Sequence, residues 1–245
     1  MGGRPVAQPD VAVRGRLPAP WIPEGMRTIA PGVHVLERDL QLLGLEFGAR
    51  MTVLETDRGL LVHSPVDVDP DTVAAFGSPR WVLAPNKFHH LYVGRWAAAG
   101  LEAWAARGLP EKRPDVRFAG VVQPETAPFG DDIAVLPLTC FPLVNEVVVL
   151  HRPSRTLVVT DLLFNLAPTA PFLTRAAMWC SCGYPGCRST ALERVGMKRD
   201  LARRELGEIG RWDFDRIVMA HGDVVETDGK AAFRRAYAWL GIPWA

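Results

Sequence analysis

Hydrophobic and polar positions along the chain follow the two-residue period of strands in some stretches and a helical period in others. Two apolar runs, Met51–Glu55 and Leu60–His63, flank the turn signal Asp57-Arg58-Gly59 and predict a hairpin. Further strands are predicted at Val33–Leu36, Arg80–Ala84, Val116–Val122, Ile133–Leu138, Glu146–His151, Thr156–Thr160 and Arg216–Ala220. Helices are predicted at Asp71–Phe76, Gly94–Arg107, Thr190–Ile209 and Gly229–Leu240.

This order of elements predicts an α+β fold, in which two mixed β-sheets pack face to face with helices outside, an αββα sandwich. Residues 26–245 are expected to form a single domain, since 245 residues suit one large unit. Residues 1–25, rich in Pro, Gly and Arg, are expected to form a flexible leader. The segment Asn165–Cys187 has no clear period and predicts an irregular excursion over the surface or across a site.

The charge balance bears on the class of partner. The chain has 28 Lys and Arg against 27 Asp and Glu, a formal net charge of +1. This balance predicts no nucleic-acid and no membrane partner, and a small molecule is the expected ligand. The sequence has no run typical of a signal peptide or of a membrane span, which favours a cytoplasmic protein.

Three of the four cysteines cluster at Cys180, Cys182 and Cys187, whereas Cys140 stands alone. Reduced thiols are the expected state in such a chain. The cluster is either a plain loop or part of a structural zinc site that takes a fourth ligand from elsewhere. Cys140 is either a substitute metal ligand or a small buried hydrophobic residue.

The candidate chemistry lies at the ends of predicted strands. His89 and His90 follow the strand Arg80–Ala84, and Asp161 and His221 each follow a later strand. Imidazole and carboxylate groups that converge in this way predict a site for a divalent metal. The alternatives stay open: the imidazoles cap the following helix, and Asp161 accepts backbone N–H bonds.

The segments Asn86–Tyr92, Thr160-Asp161 and Ala220–Gly222 resemble the metallo-β-lactamase fold superfamily, and the resemblance extends from Val33 to Leu240. The superfamily's first motif reads His-x-His-x-Asp-His and supplies ligands to two metals. In either alignment register this chain departs from that motif, with Asn86, Phe88 and Leu91 at ligand positions in one of them. The resemblance therefore implies a metal site with fewer ligands than the superfamily's standard site.

The chain also resembles an uncharacterised branch of the superfamily, a domain of unknown function in which Pro-Asn-x-x-His-His-Leu-Tyr replaces the ligand motif. The residues that carry this likeness are Pro85–Tyr92, Leu61–Pro65, Glu146, His151–Leu157 and His221-Gly222. The branch implies no particular activity. Glu146 itself is interpreted as either an edge group in water or a polar group that points into a cleft.

The resemblance implies a hydrolase with a mononuclear or vacant site for Zn, Fe or Mn, formed by His89, His90, Asp161 and His221. The expected substrate is a small-molecule ester, amide or phosphate. Without metal, His90 and Asp161 are expected to act as a catalytic acid–base pair. The alternative is a non-catalytic, metal-free binding protein that keeps the fold and its cleft and holds a small molecule or partner with Tyr92, Arg175 and Trp179.

Overall fold

The computed structural model of the chain describes residues 24–42 and 44–244. Most of the predicted leader, residues 1–23, lies outside the described residues. Strands, numbered in chain order, are β1 (Met26–Ala30), β2 (Val33–Arg38), β3 (Gln41–Leu42), β4 (Leu45–Glu46), β5 (Ala49–Thr56), β6 (Gly59–His63), β7 (Pro79–Ala84), β8 (Glu102–Ala105), β9 (Phe118–Val121), β10 (Ile133–Pro137), β11 (Val147–His151), β12 (Thr156–Val158) and β13 (Arg216–Val218).

The helices are α1 (Val93–Ala98), α2 (Leu109–Lys112), α3 (Phe172–Cys180), α4 (Ala191–Gly196), α5 (Arg199–Arg211) and α6 (Gly229–Ala236). Pro70–Phe76 and Ala238–Leu240 form 3-10 helices. None of the helices in the described ranges has both the length and the apolar character needed to cross a bilayer.

Two mixed sheets form the body of the described chain. The first has the spatial order β1-β2-β5-β6-β7-β8-β9, antiparallel as far as β6 and parallel from β6 to β9. The second has the order β10-β11-β12-β13, and its last pair is parallel. A small hairpin, β3-β4, lies apart from both.

Strand β11 shows why the two sheets pack together. Its side chains alternate, so that Val147 and Val149 join the core of the first sheet while Val148 and Leu150 join a second core with α5 and α6. All four side chains are buried, as expected of a strand covered on both faces. The αββα sandwich predicted from the sequence is confirmed.

One predicted helix, Gly94–Arg107, is wrong in its second half. Helix α1 ends at Ala98, and Gly100 takes the left-handed conformation (φ 99°) that turns the chain back toward the sheet. The residues after it form β8, parallel to β7. The apolar positions that suggested a helical stripe therefore belong to a short helix followed by a buried strand, which periodicity alone does not separate.

Two further predictions are refined. The predicted helix Thr190–Ile209 is two helices, α4 and α5, because the chain becomes extended at Met197 and Lys198, where the Lys198 N–H donates to the Cys140 carbonyl (2.8 Å). The segment Asn165–Cys187, predicted to be irregular, contains helix α3.

The sheets bring several strand ends to one edge. Strands β6 and β7 are parallel, as are β12 and β13, so each pair ends on the same side. The Val147 N–H donates to the Pro85 carbonyl (2.8 Å) and joins the end of β7 to the second sheet. The loops after these four strands therefore meet at one edge of the sandwich.

Candidate metal centre

Three of the predicted site residues converge at this edge. The Nε2 atoms of His89 and His221 are 3.2 Å apart, and they lie 3.4 Å and 3.3 Å from Oδ1 of Asp161. Their side chains are mostly buried, with exposed fractions of 11%, 7% and 17% for His89, His221 and Asp161. The three atoms form a nearly equilateral triangle that faces a common centre.

The dimensions of this triangle suit a divalent metal ion. Zinc binds imidazole nitrogen and carboxylate oxygen at about 2.0–2.1 Å in a tetrahedral array, which places neighbouring ligand atoms about 3.3 Å apart. The observed separations of 3.2–3.4 Å match that value. Three protein ligands leave the fourth tetrahedral position open, as in catalytic zinc sites.

A hydrogen bond fixes the tautomer of His221. Its Nδ1 lies 2.7 Å from the carbonyl oxygen of Gly48. Because a carbonyl only accepts, Nδ1 carries a proton, so Nε2 is the ring atom that remains to bind an ion at the centre. The ring of Phe164 stacks on His221 at 5.5 Å with a 9° tilt, which fixes the plane of the imidazole.

His89 is held in the same way from the first sheet. Its Nδ1 lies 2.8 Å from Oγ of Ser64, the residue that follows β6. Ser64 has a left-handed backbone (φ 54°), a conformation that is unfavourable for a residue with a Cβ. The end of β6 therefore maintains an unfavourable backbone angle at the residue that orients His89.

Asn86 connects His89 and Asp161. Its Nδ2 donates to Oδ2 of Asp161 (2.7 Å) and to Oγ1 of Thr160 (2.8 Å). Its Oδ1 accepts the N–H groups of Phe88 and His89, both at 2.8 Å. The fully buried amide thus fixes the loop that carries His89 and turns Oδ1 of Asp161 toward the two imidazoles.

Asp161 is held in its ionised form. Burial on its own raises the pKa of this carboxyl, but His89 and His221 outweigh burial, and the pKa lies far below its ordinary value. Two imidazole nitrogens and an anionic oxygen that face one another at these distances form a set of acceptors suited to a cation. The chemistry of the donor set therefore agrees with its geometry.

Solved structures with a similar fold include metallo-β-lactamases. The DIM-1 metallo-β-lactamase matches with a TM-score of 0.62 and 10% identity over 88% of this chain and 96% of that chain. The FIM-1 metallo-β-lactamase from Pseudomonas aeruginosa, in its mono-zinc form, matches with a TM-score of 0.59 and 13% identity over 92% of this chain and 99% of that one. This chain has the metallo-β-lactamase fold.

The fold is shared more widely. The flavodiiron core of Flv1 from Synechocystis sp. PCC6803, studied after metal soaking, matches with a TM-score of 0.60 and 11% identity over 88% of this chain and 60% of that chain. No protein-family model and no curated protein sequence matches this chain. The likeness is therefore one of fold, and the chemistry of this centre has to be argued from its own residues.

His90 does not join the centre of this metallo-β-lactamase fold. It was predicted as a ligand and as the acid–base partner of Asp161, but its Nδ1 faces the guanidinium of Arg113 at 3.1 Å. Burial and the charges of Lys112 and Arg113 lower the pKa of His90. His89 and His90 lie in the turn before α1, and their side chains leave it in different directions, His89 toward the centre and His90 toward Arg113. The structure therefore corrects this assignment.

Glu146 has a role that neither sequence interpretation foresaw. Its buried carboxylate accepts the backbone N–H groups of Thr160 (2.6 Å) and Asp161 (2.8 Å). Burial and the neighbouring Asp161 raise its pKa to about 7. Glu146 thus fixes the backbone at the end of β12, from which Asp161 reaches the centre.

Arg50 joins the two sheets behind His221. Its guanidinium donates to the carbonyls of Met219 and Gly222, on either side of the Ala220-His221 pair, and to Glu37 on β2. Sequence reasoning did not single out Arg50, because its partners lie up to 172 residues away. A cationic residue at the start of an apolar strand was the one signal available.

The remaining candidates lie outside the centre. His63 is buried with its Nε2 unpaired within the described residues, and burial together with His89 lowers its pKa to about 3. Cys140 is buried, and burial raises the pKa of its thiol. Among the described residues, the one group of three potential ligands in mutual reach is His89, Asp161 and His221, with no cysteine in it.

Proposed function

We propose that the chain is a metal-dependent hydrolase that holds one divalent ion, Zn, Fe or Mn, between His89, Asp161 and His221. The observation that carries the proposal is the triangle of ligand atoms with sides of 3.2–3.4 Å. The hydrogen bonds of Ser64, Gly48 and Asn86 support it, because second partners of this kind orient metal ligands in proteins.

The same contacts favour one ion over two. Oδ2 of Asp161 accepts an N–H from Asn86, so a second cation would compete with this hydrogen bond for the same oxygen. The Nδ2 hydrogens of Asn86 also present positive charge to the space beside Asp161. The side chain that departs from the superfamily's first motif thus favours a single ion at the centre.

A bound divalent ion would supply a polarised water, with a pKa lowered toward about 7, and would polarise a carbonyl or phosphoryl oxygen. The chain's own residues then orient the ligands and limit access of bulk water. We propose a small-molecule ester, amide or phosphate as the substrate. Cys180, Cys182 and Cys187 have no part in this scheme.

A cavity of about 400 Å³ adjoins the centre, but it is not assigned to the substrate. Gly48, Ala220 and Gly222 contribute to its lining, whereas none of the three candidate ligands does. Three carboxylates, Glu37, Asp39 and Asp223, and two guanidinium groups, Arg38 and Arg50, give it a wall of mixed charge. We therefore place the substrate against the exposed edge of the triangle, next to Phe88.

Elemental analysis of protein purified without chelator tests the proposal. We expect about one Zn, Fe or Mn per chain in the wild type, loss of the metal in His221→Ala, and retention in the matched control His90→Ala. Activity on a panel of nitrophenyl esters, anilides and phosphates should depend on the same metal. Wild-type protein that stays metal-free after loading would reject the proposal in favour of the metal-free binding protein.

A further inference from the structure

The exposed apolar side chains of the described chain are concentrated in a few segments. The large hydrophobic residues that are exposed are Phe88, Leu91, Tyr92, Leu143, Phe172, Leu173, Trp179, Leu192 and Val195. All nine fall in three segments, residues 87–92, 139–145 and 171–199. We call these three segments the apolar band.

Backbone contacts join the segments of the band. The Lys87 N–H donates to the Val144 carbonyl (3.1 Å), which connects the first segment to the second. The Lys198 N–H donates to the Cys140 carbonyl (2.8 Å), which connects the second to the third. Within the third, the Ala191 N–H donates to the Ser181 carbonyl and brings the start of α4 against the end of α3. The band is therefore a series of adjoining segments, and the first of them contains His89.

The band is strongly basic although the chain as a whole is nearly neutral. It holds 6 of the chain's 28 Lys and Arg but 1 of its 27 Asp and Glu. The six cations are Lys87, Arg175, Arg188, Arg194, Lys198 and Arg199, and none of them forms an ion pair within the described ranges. The single carboxyl, Glu193, is buried, and burial raises its pKa well above the ordinary value.

Three carboxylates from outside lie alongside the band. Asp200, directly after Arg199, is exposed and forms an ion pair with Arg203 (3.2 Å). Glu205 accepts the N–H groups of Thr139 and Cys140 and the Thr139 hydroxyl, so its acceptor capacity is in use. Glu46, on β4, borders α3 through a hydrogen bond from its N–H to Oγ1 of Thr174. The cations of the band still outnumber these groups.

Two of the cations lie at a position that is unfavourable for the stability of their own helix. Lys198 is the N-cap of α5 and Arg199 is its first residue. The N-terminus of a helix carries partial positive charge and favours anions, so cations there are unfavourable for the helix itself. Their placement is consistent with an anionic partner.

We propose that the apolar band is a docking surface for an anionic lipid bilayer. Exposed Trp, Phe and Leu together with Lys and Arg are typical of surfaces that lie in a membrane interface. A second copy of the chain fits less well, because a twofold contact through this band places unpaired cations opposite one another. Since Phe88 and His89 are consecutive, the bilayer would lie next to the candidate centre.

Co-sedimentation of the full chain with vesicles tests this docking. Vesicles of phosphatidylcholine alone are compared with vesicles of equal parts phosphatidylcholine and phosphatidylglycerol. We expect binding to the anionic vesicles only. The double variant Phe172→Ser/Trp179→Ser should bind at least about ten-fold more weakly, because each apolar side chain removed loses its burial in the interface. Both side chains are two thirds or more exposed, so the thermal unfolding of the variant should be unchanged.

A second pair of variants tests the charge. Lys198→Gln/Arg199→Gln should lose about five-fold in binding for each cation, whereas the control Arg58→Gln, in the turn between β5 and β6, should bind like the wild type. Wild-type protein that binds neither vesicle, or both equally, overturns the proposal. A dimer that Phe172→Ser/Trp179→Ser dissociates, without vesicle binding, assigns the band to a second copy. His221→Ala should bind vesicles normally, so this outcome is independent of the metal centre.

Discussion

The hydroxyl of Ser64 offers a test of how the centre is held together. Removing it takes away the partner of Nδ1 of His89, at 2.8 Å, while Nε2 keeps its position relative to Asp161 and His221. Loss of such a second partner costs about 10- to 100-fold in metal affinity. This corresponds to about 1.4–2.7 kcal/mol.

Two substitutions at this position separate the hydroxyl from the backbone. Ser64→Ala removes the hydroxyl and keeps the unfavourable left-handed conformation (φ 54°), whereas Ser64→Gly removes the hydroxyl and relieves that conformation. A left-handed residue with a Cβ costs about 1–2 kcal/mol, so Ser64→Gly should be the more stable of the two. Both variants should show the same loss of metal affinity.

Zinc affinity is measured by competition with a chromophoric chelator, and stability by urea unfolding of the metal-free proteins. Unchanged zinc affinity in both variants would refute the role of the hydroxyl. A loss confined to Ser64→Gly would show that the left-handed backbone, which Ser64→Ala keeps, orients His89 rather than the hydroxyl.

Further predictions concern the residues that support the centre. The Tyr237 hydroxyl, which has one proton to donate, faces two acceptors, the Leu162 carbonyl (2.6 Å) and Oε1 of buried Glu193 (2.9 Å), and burial raises the pKa of Glu193. Because its folded pKa is raised above 4.5, stability is complete below that pH and falls as pH rises toward the folded pKa, by about 1.4 kcal/mol per pH unit. Glu193→Gln should remove this loss: urea unfolding should show it gaining stability over the wild type as pH rises above about 5, and a pH-independent difference would contradict the assignment. Arg50→Gln should lower the free energy of unfolding by about 2–5 kcal/mol, since it leaves the carbonyls of Met219 and Gly222 without their donor at about 1–3 kcal/mol each, whereas half-exposed Glu37 adds little. A loss below about 1 kcal/mol, the range of an exposed ion pair, would contradict the role of Arg50 in joining the sheets.

The sequence predicted the ends of strands better than the side chains that support the centre. His89, Asp161 and His221 were identifiable because each lies within five residues after an apolar run, and such runs end at the edge of a sheet. The helix predicted at Gly94–Arg107 was wrong because a short helix and a buried strand share the same apolar residues. Local pattern does not distinguish them, whereas the parallel pairing of β8 with β7 does.

The residues that orient the candidate ligands could not be predicted from the sequence, for a different reason. Ser64 contacts a residue 25 positions away and Gly48 one 173 positions away, and no local spacing encodes either contact. His90 was assigned to the centre because it adjoins His89, yet its side chain leaves the turn before α1 toward Arg113. The net charge of the whole chain predicted no membrane partner. This single number hides the uneven distribution of Lys and Arg along the chain, from which the docking surface is inferred.

X-ray absorption at the metal edge of zinc-loaded protein tests the central claim most directly. The account predicts one zinc per chain with a first shell of nitrogen and oxygen only, at about 2.0–2.1 Å, including two imidazoles. Sulfur scattering at about 2.3 Å would contradict it, because that distance places the ion on cysteine, far from the triangle of His89, Asp161 and His221.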